Sequence, residues 1–319
     1  MCQSPAVLRI RSNRLPMDTK FSEMIRRHSR PLAPLATDVA PHHAVLPGIR
    51  CVLFDVYGTL LISGSGEVGT LLPEAAETAF VESVTLLGIE TEITESEGRE
   101  ALTAAIEASH TESRGRGVEY PEVDIVAIWQ SALASLAETG RLHLPEAIDY
   151  QRLALEYELR TNPTWPMPGA AECLGQLRAA GLSLGLISNA QFFTPMLLET
   201  LLPTAFGDEI ARDDRNYFSY QQGEAKPGSS LFELARGDLE QDGIAPHEVL
   251  YVGNDMLNDV LPAAAVGFRT ALFAGDRRSL RMREGDSRMT ALRPGAPDLV
   301  LVELESLPTC MEAARRELE

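Results

Sequence analysis

The chain has 319 residues, of which 45% are hydrophobic and 23% charged, and its formal net charge is −18. An acidic surface is repelled by phosphate backbones, which argues against nonspecific nucleic-acid binding. A small anionic substrate stays compatible with this charge, because a local lysine, helix N-terminus or metal ion suffices to bind one. The length allows one large domain together with a smaller or inserted one.

The cysteines and the N-terminal sequence bear on location. Four cysteines lie far apart in the chain: Cys2, Cys51, Cys173 and Cys310. Their spacing suits neither a disulfide framework nor a zinc site, and it fits a reducing cytoplasm. The sequence has no run of roughly 18 apolar residues, and the N-terminal arginines are not followed by the apolar segment of a secretory signal. We therefore expect a cytoplasmic monomer or homodimer with no membrane or nucleic-acid partner.

The first 48 residues differ in composition from the rest of the chain. Residues 1–48 carry scattered arginines and prolines and predict an extension that packs on the core or is partly disordered, with a short helix over 19–28. The next apolar run, 51–54, is typical of a buried strand and ends at Asp55. A Gly-Thr pair follows three residues later, so a tight loop is predicted to present Asp55 at its tip.

A helical insertion is predicted over residues 64–163. It starts in a flexible Ser-Gly-Ser-Gly stretch, and the segment beyond is rich in Ala, Leu and Glu. Amphipathic periodicity predicts three or four helices, over about 71–87, 95–113, 123–139 and 145–160. A proline-rich stretch then breaks the helical pattern. The flanking residues 49–63 and 164–319 are predicted to form one core.

The rest of the chain alternates helices with apolar strands, as parallel α/β folds do. Helices are predicted over 169–180, 195–202 and 229–239, with a further one ending at 266. Strands are predicted over 182–187, 217–219, 249–252, 269–273 and 299–302. We therefore predict the α/β class, a Rossmann-like doubly wound parallel sheet with an inserted α-helical domain. An Arg-rich segment, 277–293, is predicted to be a solvated face.

Polar side chains follow four of the predicted strands. They are Asp55 after the first, Ser188 and Asn189 after the second, Lys226 past the third, and Asp255 with Asp259 past the fourth. Ligands of doubly wound sheets bind beyond the carboxyl ends of the strands. We therefore expect these side chains to share one crevice.

Each residue type has a chemical role in such a crevice. Asp55 can act as a nucleophile if its charge is positioned against an electrophile, and Lys226 can keep it ionised and neutralise a transferring group. Ser188 and Asn189 can donate hydrogen bonds to substrate oxygens. The carboxylates at 255 and 259 suit a hard divalent cation such as magnesium. Taken singly, Asn189 and Asp259 are equally compatible with helix caps.

The combination of motifs resembles the haloacid dehalogenase-like (HAD) hydrolase superfamily. The matching stretches are FDVYGTL at 54–60, ISN at 187–189, KP at 226–227 and GND with ND within 253–259. The resemblance implies a Rossmann-like core, a covalent intermediate on Asp55, and a mobile helical cap between the first two motifs that governs substrate entry. It also implies that Thr59 helps to bind the substrate.

Two departures from the family pattern bear on the reaction. In the phosphatases of this superfamily, the residue two after the nucleophile is a second aspartate that serves as general acid. Here it is Tyr57, which is similar to the 2-haloacid dehalogenases, where the departing halide needs no proton. The family uses the backbone carbonyl at this position as a metal ligand, and Tyr57 retains that carbonyl.

The fourth motif, in contrast, has the acidic form of the magnesium-dependent members, since dehalogenases carry Ser and Asn there. Its register has two solutions: the longer spacing puts Asn254 in the place of the first acid, and the shorter spacing puts Asp255 there. The shorter one preserves a metal site and is preferred. The resemblance then implies magnesium held by Asp55, the carbonyl of Tyr57, Asp255 and Asp259.

In the insertion, a polar and aromatic cluster includes Arg114 and Arg116, which are candidates for binding a substrate carboxylate or phosphate. The alternative is a solvated helix end. The leading expectation is a magnesium-dependent phosphatase that acts on a small phosphorylated metabolite through an aspartyl-phosphate on Asp55. The alternatives are a metal-free 2-haloacid dehalogenase that uses Asp55 as nucleophile and a non-catalytic or weakly active binding protein on the same scaffold.

Overall fold

A computed structural model describes residues 19–65, 77–203 and 215–311 of the chain. The strands within these residues are β1 (Cys51–Phe54), β2 (Leu61–Ser63), β3 (Glu90–Thr91), β4 (Leu142–His143), β5 (Thr164–Pro166), β6 (Ser183–Ser188), β7 (Asn216–Phe218), β8 (Val249–Gly253), β9 (Arg269–Phe273) and β10 (Leu299–Leu301). The α-helices are α1 (Thr19–His28), α2 (Ala79–Leu86), α3 (Glu95–Gly115), α4 (Ile125–Ala137), α5 (Tyr150–Thr161), α6 (Ala170–Ala179), α7 (Thr194–Leu201), α8 (Ser219–Gln222), α9 (Ser230–Gln241) and α10 (Leu261–Ala265). None of the helices in these ranges is long and apolar enough to cross a membrane.

Six parallel strands form the central sheet, in the order β10-β9-β8-β1-β6-β7. From β1 the chain moves outward through β6 and β7, and it then crosses back to build β8, β9 and β10 on the other side. The strand order therefore reverses beside β1, and doubly wound sheets bind ligands at such a reversal. This confirms the predicted α/β class.

The middle strand, β1, is buried on both faces. Val52 and Phe54 belong to one hydrophobic cluster, while Cys51 and Leu53 belong to the cluster on the opposite face. All four side chains are fully buried. The alternation explains the continuous apolar run in the sequence, because a central parallel strand has no solvent-facing side.

Helices α2 to α5 share a hydrophobic cluster of their own. Its centre is Trp129, whose ring stacks on Phe80 with 5.6 Å between centroids and meets the edge of Tyr157 at 5.3 Å. The two connections to the sheet domain pair with each other, since β2 runs antiparallel to β5 with Ile62 opposite Trp165. The first predicted helix, 71–87, lies partly outside the described residues, and the described part begins at Ala79.

Side-chain caps set where several of these helices begin. Thr94 accepts a hydrogen bond from the backbone of Glu97, and Glu97 bonds back to the backbone of Thr94, which forms a capping box before α3. Asp149 accepts from Arg152 N, so α5 begins at Tyr150. The prediction had started this helix at residue 145 because periodicity alone does not locate a cap.

The described part of the N-terminal region packs against the rest of the molecule. Helix α1 lies against α7 and against α5. The chain then runs extended, with the Thr37 hydroxyl donating to Ala274 O at 2.6 Å and His42 forming a β-bridge with Val300. The region therefore contacts both the helical segment and the edge of the sheet.

Candidate active site

The loop after β1 presents Asp55 beside the neighbouring strand. The Asp55 backbone N–H donates to Val252 O of β8 at 2.9 Å, and Val56 O accepts from the three backbone N–H groups of residues 59–61. Gly58 has φ +81°, and a Cβ atom there would overlap Asn254 and Ser279. Only glycine combines this backbone conformation with this close approach.

The Asp55 carboxylate is held from two other strand ends. Its Oδ1 accepts from Ser188 Oγ at 2.9 Å and from Lys226 Nζ at 2.8 Å. Its Oδ2 has no hydrogen-bond partner among the described residues, and 8% of the side chain is exposed. One carboxylate oxygen is therefore fixed and charge-compensated, while the other is available to a reacting atom.

Lys226 lies between two carboxylates. In addition to Asp55, its ammonium contacts Asp259 Oδ1 at 2.5 Å and Tyr251 OH at 3.1 Å. Burial alone would lower the pKa of Lys226, but Asp259 and Asp55 outweigh that effect and raise it above its ordinary value. Burial raises the pKa of Asp259, and Lys226 opposes this. The sequence did not indicate Tyr251, since a tyrosine in a central strand has the same pattern as any core residue.

Asn189, which is predicted to bind substrate, is hydrogen-bonded to the backbone of Lys226. Its Oδ1 accepts from the backbone N–H of Lys226 at 2.7 Å, and its Nδ2 donates to Lys226 O at 3.2 Å. The oxygen and the nitrogen of the Asn189 amide therefore both hold the backbone of Lys226.

Tyr57 and Thr59 both turn into the protein. The Tyr57 hydroxyl lies 2.9 Å from Thr194 Oγ1, and burial raises the pKa of Tyr57 far above its ordinary value. Thr59 is fully buried, and its hydroxyl has no hydrogen-bond partner among the described residues. The Tyr57 hydroxyl is therefore directed at Thr194, whereas its backbone carbonyl stays at the site.

The fourth motif adopts the longer of the two predicted registers. Asn254 lies over the loop of Tyr57, and its Nδ2 donates to Tyr57 O at 3.3 Å and to Ser279 O at 3.1 Å. Both contacts are carbonyl oxygens, so the amide nitrogen rather than the amide oxygen must face them. Asn254 thus takes the place that the preferred register had given to Asp255.

The Asp255 carboxylate is occupied by other partners. It accepts from Leu257 N at 2.8 Å and Asn258 N at 3.2 Å, where it caps a π-helical turn over Met256–Val260. Arg283 adds a bidentate pair, Nε to Oδ1 at 3.0 Å and Nη2 to Oδ2 at 2.5 Å. Asp255, which is predicted to be a magnesium ligand, is therefore hydrogen-bonded in this structure to the π-helical turn and to Arg283.

The donor set does not fit the magnesium ion that the family resemblance implies. Both oxygens of Asp259 are used, Oδ1 by Lys226 and Oδ2 by the backbone N–H of Asp255. The carbonyl of Tyr57 accepts from Asn254. Within the described ranges, no group of three or more His, Cys, Asp or Glu residues is arranged to hold a metal ion. Hard divalent cations take about six or more oxygen ligands, and Asp55 Oδ2 is the one carboxylate oxygen of Asp55, Asp255 and Asp259 that has no hydrogen bond among the described residues.

The Arg-rich segment is exposed over much of its length, as predicted, but Arg281 and Arg283 contact the fourth motif. Arg281 N donates to Asn254 O at 3.0 Å, and Met256 N donates to Arg281 O at 2.9 Å. These bonds place Arg283 against Asp255. Nothing in the local sequence indicated this, because the contacts join loops that are 25 or more residues apart.

The helical segment reaches the sheet domain through Glu122 rather than through Arg114 or Arg116. The two arginines are exposed at the end of α3, and Arg116 pairs with Glu112 at 2.6 Å. Glu122 accepts from Ser219 Oγ at 2.6 Å and from Gln191 Nε2 at 3.2 Å, and burial raises its pKa.

The loop that contains Glu122 also forms two backbone hydrogen bonds with the residues just before Lys226. Ala225 N donates to Tyr120 O at 2.7 Å, and Glu122 N donates to Gly223 O at 3.0 Å. The helical segment thus contacts the loop that carries the lysine.

Comparisons with known proteins show the family to which the chain belongs. A model of the haloacid dehalogenase-like hydrolase family matches residues 49–267, and the chain belongs to that family. It is therefore a HAD-like hydrolase. The chain is 29% identical over 234 residues to a phosphoglycolate phosphatase of Salmonella choleraesuis (strain SC-B67), which covers 70% of this chain and 80% of that protein.

The chain is also similar to a second curated protein and to a solved structure. A phosphoglycolate phosphatase of Escherichia coli (strain K12) is 34% identical over 112 residues, so the chain spans about 40% of the length of the first curated relatives it matches. The fold is similar to that of a 2-haloacid dehalogenase from Pseudomonas syringae pv. Tomato DC3000, with a TM-score of 0.53, 19% identity, and coverage of 82% of this chain and 97% of that chain.

Proposed function

We propose that the protein is a phosphatase that transfers the phosphoryl group of a small phosphorylated metabolite to Asp55 and then hydrolyses the aspartyl-phosphate. The observation that carries this proposal is the state of the Asp55 carboxylate, with Oδ1 held by Ser188 and Lys226 and Oδ2 directed to no partner among the described residues. The phosphoglycolate phosphatases among the relatives support phosphate as the transferred group.

The covalent step uses groups on this chain alone. Asp55 Oδ2 forms a bond to phosphorus while the bond from phosphorus to the leaving oxygen breaks, and that oxygen departs with the electron pair. Lys226 neutralises charge at Asp55, and the Ser188 hydroxyl keeps Oδ1 in place. Water then attacks phosphorus, which releases inorganic phosphate and regenerates the carboxylate.

The leaving group must depart without a proton from residue 57, because the Tyr57 hydroxyl is buried against Thr194. General acid catalysis contributes roughly 10²–10⁴-fold, and mainly for poor leaving groups. The proposed substrates are therefore acyl or otherwise activated phosphates, whose leaving groups are stable as anions.

The same observation on Tyr57 favours a second candidate, a 2-haloacid dehalogenase. Asp55 Oδ2 would attack the carbon that bears the halogen, and halide would leave with the electron pair of the broken bond. Water would then attack the carboxyl carbon of the Asp55 ester and release a 2-hydroxyacid. Halide requires no proton, so Tyr57 is no obstacle to this route.

We further propose that the helical segment within 64–163 is a cap that controls substrate entry to a core formed by 49–63 and 164–319. The pairing of β2 with β5 and the contact of Glu122 with Ser219 support this division. The free, buried thiols of Cys51, Cys173 and Cys310 support the proposed cytoplasmic location.

A substrate panel with isotope labelling tests both candidates. Phosphate release from acetyl phosphate, p-nitrophenyl phosphate and 2-phosphoglycolate is measured beside halide release from 2-chloropropionate, with Asp55→Asn as control. We expect phosphate release that is fastest for acetyl phosphate and absent in the control. In a single turnover in ¹⁸O-water, the label enters phosphate for the phosphatase and the Asp55 carboxylate for the dehalogenase. Equal behaviour of wild type and Asp55→Asn on every substrate would show a binding protein instead.

A further inference from the structure

The carboxylates of this site already have cationic partners on the chain, since Lys226 contacts Asp55 and Asp259 and Arg283 contacts Asp255. Asp255 accepts four hydrogen bonds, two from backbone N–H groups and two from Arg283. Asp255 itself is buried, and 30% of the Arg283 side chain is exposed. A divalent ion that used Asp255 would have to displace a bidentate, charge-assisted pair, which is the strongest arrangement an arginine and a carboxylate form.

Arg283 is built into the site by its backbone as well as by its side chain. Its φ of +55° lies in the left-handed region, which is uncommon for a residue other than glycine. Two residues earlier, the backbone of Arg281 forms hydrogen bonds with the residues before and after Asp255. Arg281 N donates to Asn254 O, and Met256 N donates to Arg281 O. The loop is therefore tied to the fourth motif directly before the arginine, so the ion pair is not a contact between mobile surface side chains.

The Asn254 amide blocks the second position where a metal would bind. Its nitrogen donates to Tyr57 O and Ser279 O, and an amide nitrogen cannot ligate a hard cation. A carboxylate at this position would place an oxygen beside the Tyr57 carbonyl and Asp55. The charges at the site also argue against a metal ion. The three carboxylates, Asp55, Asp255 and Asp259, already form ion pairs with Lys226 and Arg283.

We propose that Arg283, together with Lys226, takes the place of the divalent cation at this site, and that the reaction at Asp55 proceeds without magnesium. This inference rests on the proposed function only for the reaction, because the claim about the cation is tested by binding. In the substrate complex, Arg283 shares its guanidinium between Asp255 and the anionic group of the substrate.

The test measures magnesium binding and turnover separately. Thermal unfolding and isothermal titration calorimetry are run with magnesium chloride and with EDTA on wild type, Asn254→Asp, Arg283→Gln and the control Arg288→Gln. Arg288 is in the same segment but pairs with Asp286 and hydrogen-bonds Tyr120, so its replacement removes an equal charge away from Asp255. Turnover is measured on acetyl phosphate under the same conditions.

We expect wild type and Arg288→Gln to show no magnesium-dependent shift in Tm and equal turnover in magnesium and EDTA. Asn254→Asp introduces a carboxylate beside Tyr57 O, so millimolar magnesium is expected to raise its Tm by about 2 °C through binding to the native state. Arg283→Gln is expected to raise KM by about tenfold through loss of a charge-assisted contact.

Two results would overturn the inference: magnesium binding by wild type that Asp55→Asn abolishes, or turnover that EDTA removes and magnesium restores. If Arg283→Gln unfolds, Asn254→Asp still decides the question, because it leaves the Arg283 pair intact. Absence of turnover on every substrate would contradict the proposed function, while the magnesium titrations would still decide the claim about the cation.

Discussion

At the scale of single residues, Lys226 is the group on which the site depends most. It is one of only two lysines in the sequence, the other being Lys20. Its ammonium lies 2.8 Å from Asp55 and 2.5 Å from Asp259 in a buried environment. The same side chain therefore balances the charge that folding buries and the charge that the reaction uses.

Replacing Lys226 by methionine is expected to abolish turnover and to lower the free energy of unfolding by about 3–5 kcal/mol, because two buried carboxylates lose their counter-ion. The pKa of Asp259, already raised by burial, rises further without the lysine. Since the folded pKa then lies above the unfolded value of about 4, the variant is most stable below that pH and loses stability as pH rises. Urea unfolding across pH measures this, with Lys20→Met as control. Equal stability of Lys226→Met and wild type at neutral pH would contradict the assignment.

Tyr57→Phe is expected to lower the free energy of unfolding by about 1 kcal/mol through loss of the hydrogen bond to Thr194. Its kcat on acetyl phosphate should stay close to that of wild type, because the hydroxyl gives no proton to the leaving group. Steady-state kinetics on acetyl phosphate and on a simple alkyl phosphate, together with urea unfolding, measure both effects. A loss confined to the alkyl phosphate would instead identify Tyr57 as the acid.

At the scale of elements, the contact between the helical segment and the sheet domain ends beside Lys226. The Glu122 carboxylate accepts hydrogen bonds from Ser219 and Gln191. The backbone of residues 120–122 pairs with the backbone of residues 223–225. The next residue, Lys226, is held at its backbone N–H by Asn189 Oδ1. The hydrogen bonds between residues 120–122 and residues 223–225 therefore connect the helical segment to the loop that carries Lys226.

Glu122→Ala is expected to lower kcat more than it raises KM, because it removes the hydrogen bonds from Ser219 and Gln191 and loosens the lysine loop. Both donors keep a second acceptor, Ala190 O and Val123 O, so the loss of each hydrogen bond is expected to cost about 1 kcal/mol of stability. Steady-state kinetics and chemical denaturation measure both effects, and Glu119→Ala, an exposed glutamate of the same loop, is the matched control. If Glu122→Ala and Glu119→Ala have the same kcat, the contact has no role in positioning Lys226.

At the scale of the whole molecule, the N-terminal helix joins the two parts of the structure. Helix α1 contacts α7 and α5, and His28 Nε2 lies 3.0 Å from Glu156 Oε1. Burial alone would raise the pKa of Glu156, but His28 and Arg160 outweigh that effect and hold it below its ordinary value. An acidic residue in this state stabilises the native protein only while it is ionised.

His28→Ala is therefore expected to lower the free energy of unfolding by about 1 kcal/mol near neutral pH. The folded pKa of Glu156 is depressed, so the difference from wild type is present above the unfolded value of about 4.3 and is lost as pH falls through the folded value. Thermal unfolding in a series of buffers measures it, with the exposed His43→Ala as control. A difference that persists in strong acid would show that packing of the imidazole, not the pair with Glu156, stabilises the helix.

The amino-acid sequence alone was enough to predict the α/β class, the six strands of the central sheet, and the grouping of Asp55, Ser188, Lys226 and Asp259. The reason is that central parallel strands need continuous apolar runs, and their carboxyl ends meet at one edge of the sheet. The caps at which helices begin were less accessible, because a capping side chain changes a boundary without changing the periodicity.

The directions of the loop side chains, in contrast, depend on tertiary packing. The direction of Tyr57 depends on Thr194, 137 residues away, and the partner of Asp255 is Arg283, 28 residues further along the chain. The choice between Asn254 and Asp255 rests on which of them lies over the Tyr57 carbonyl. Such contacts arise where loops pack together, and loop packing leaves no periodic pattern in the sequence. In this protein they determine which charged groups and which hydroxyl groups lie near Asp55.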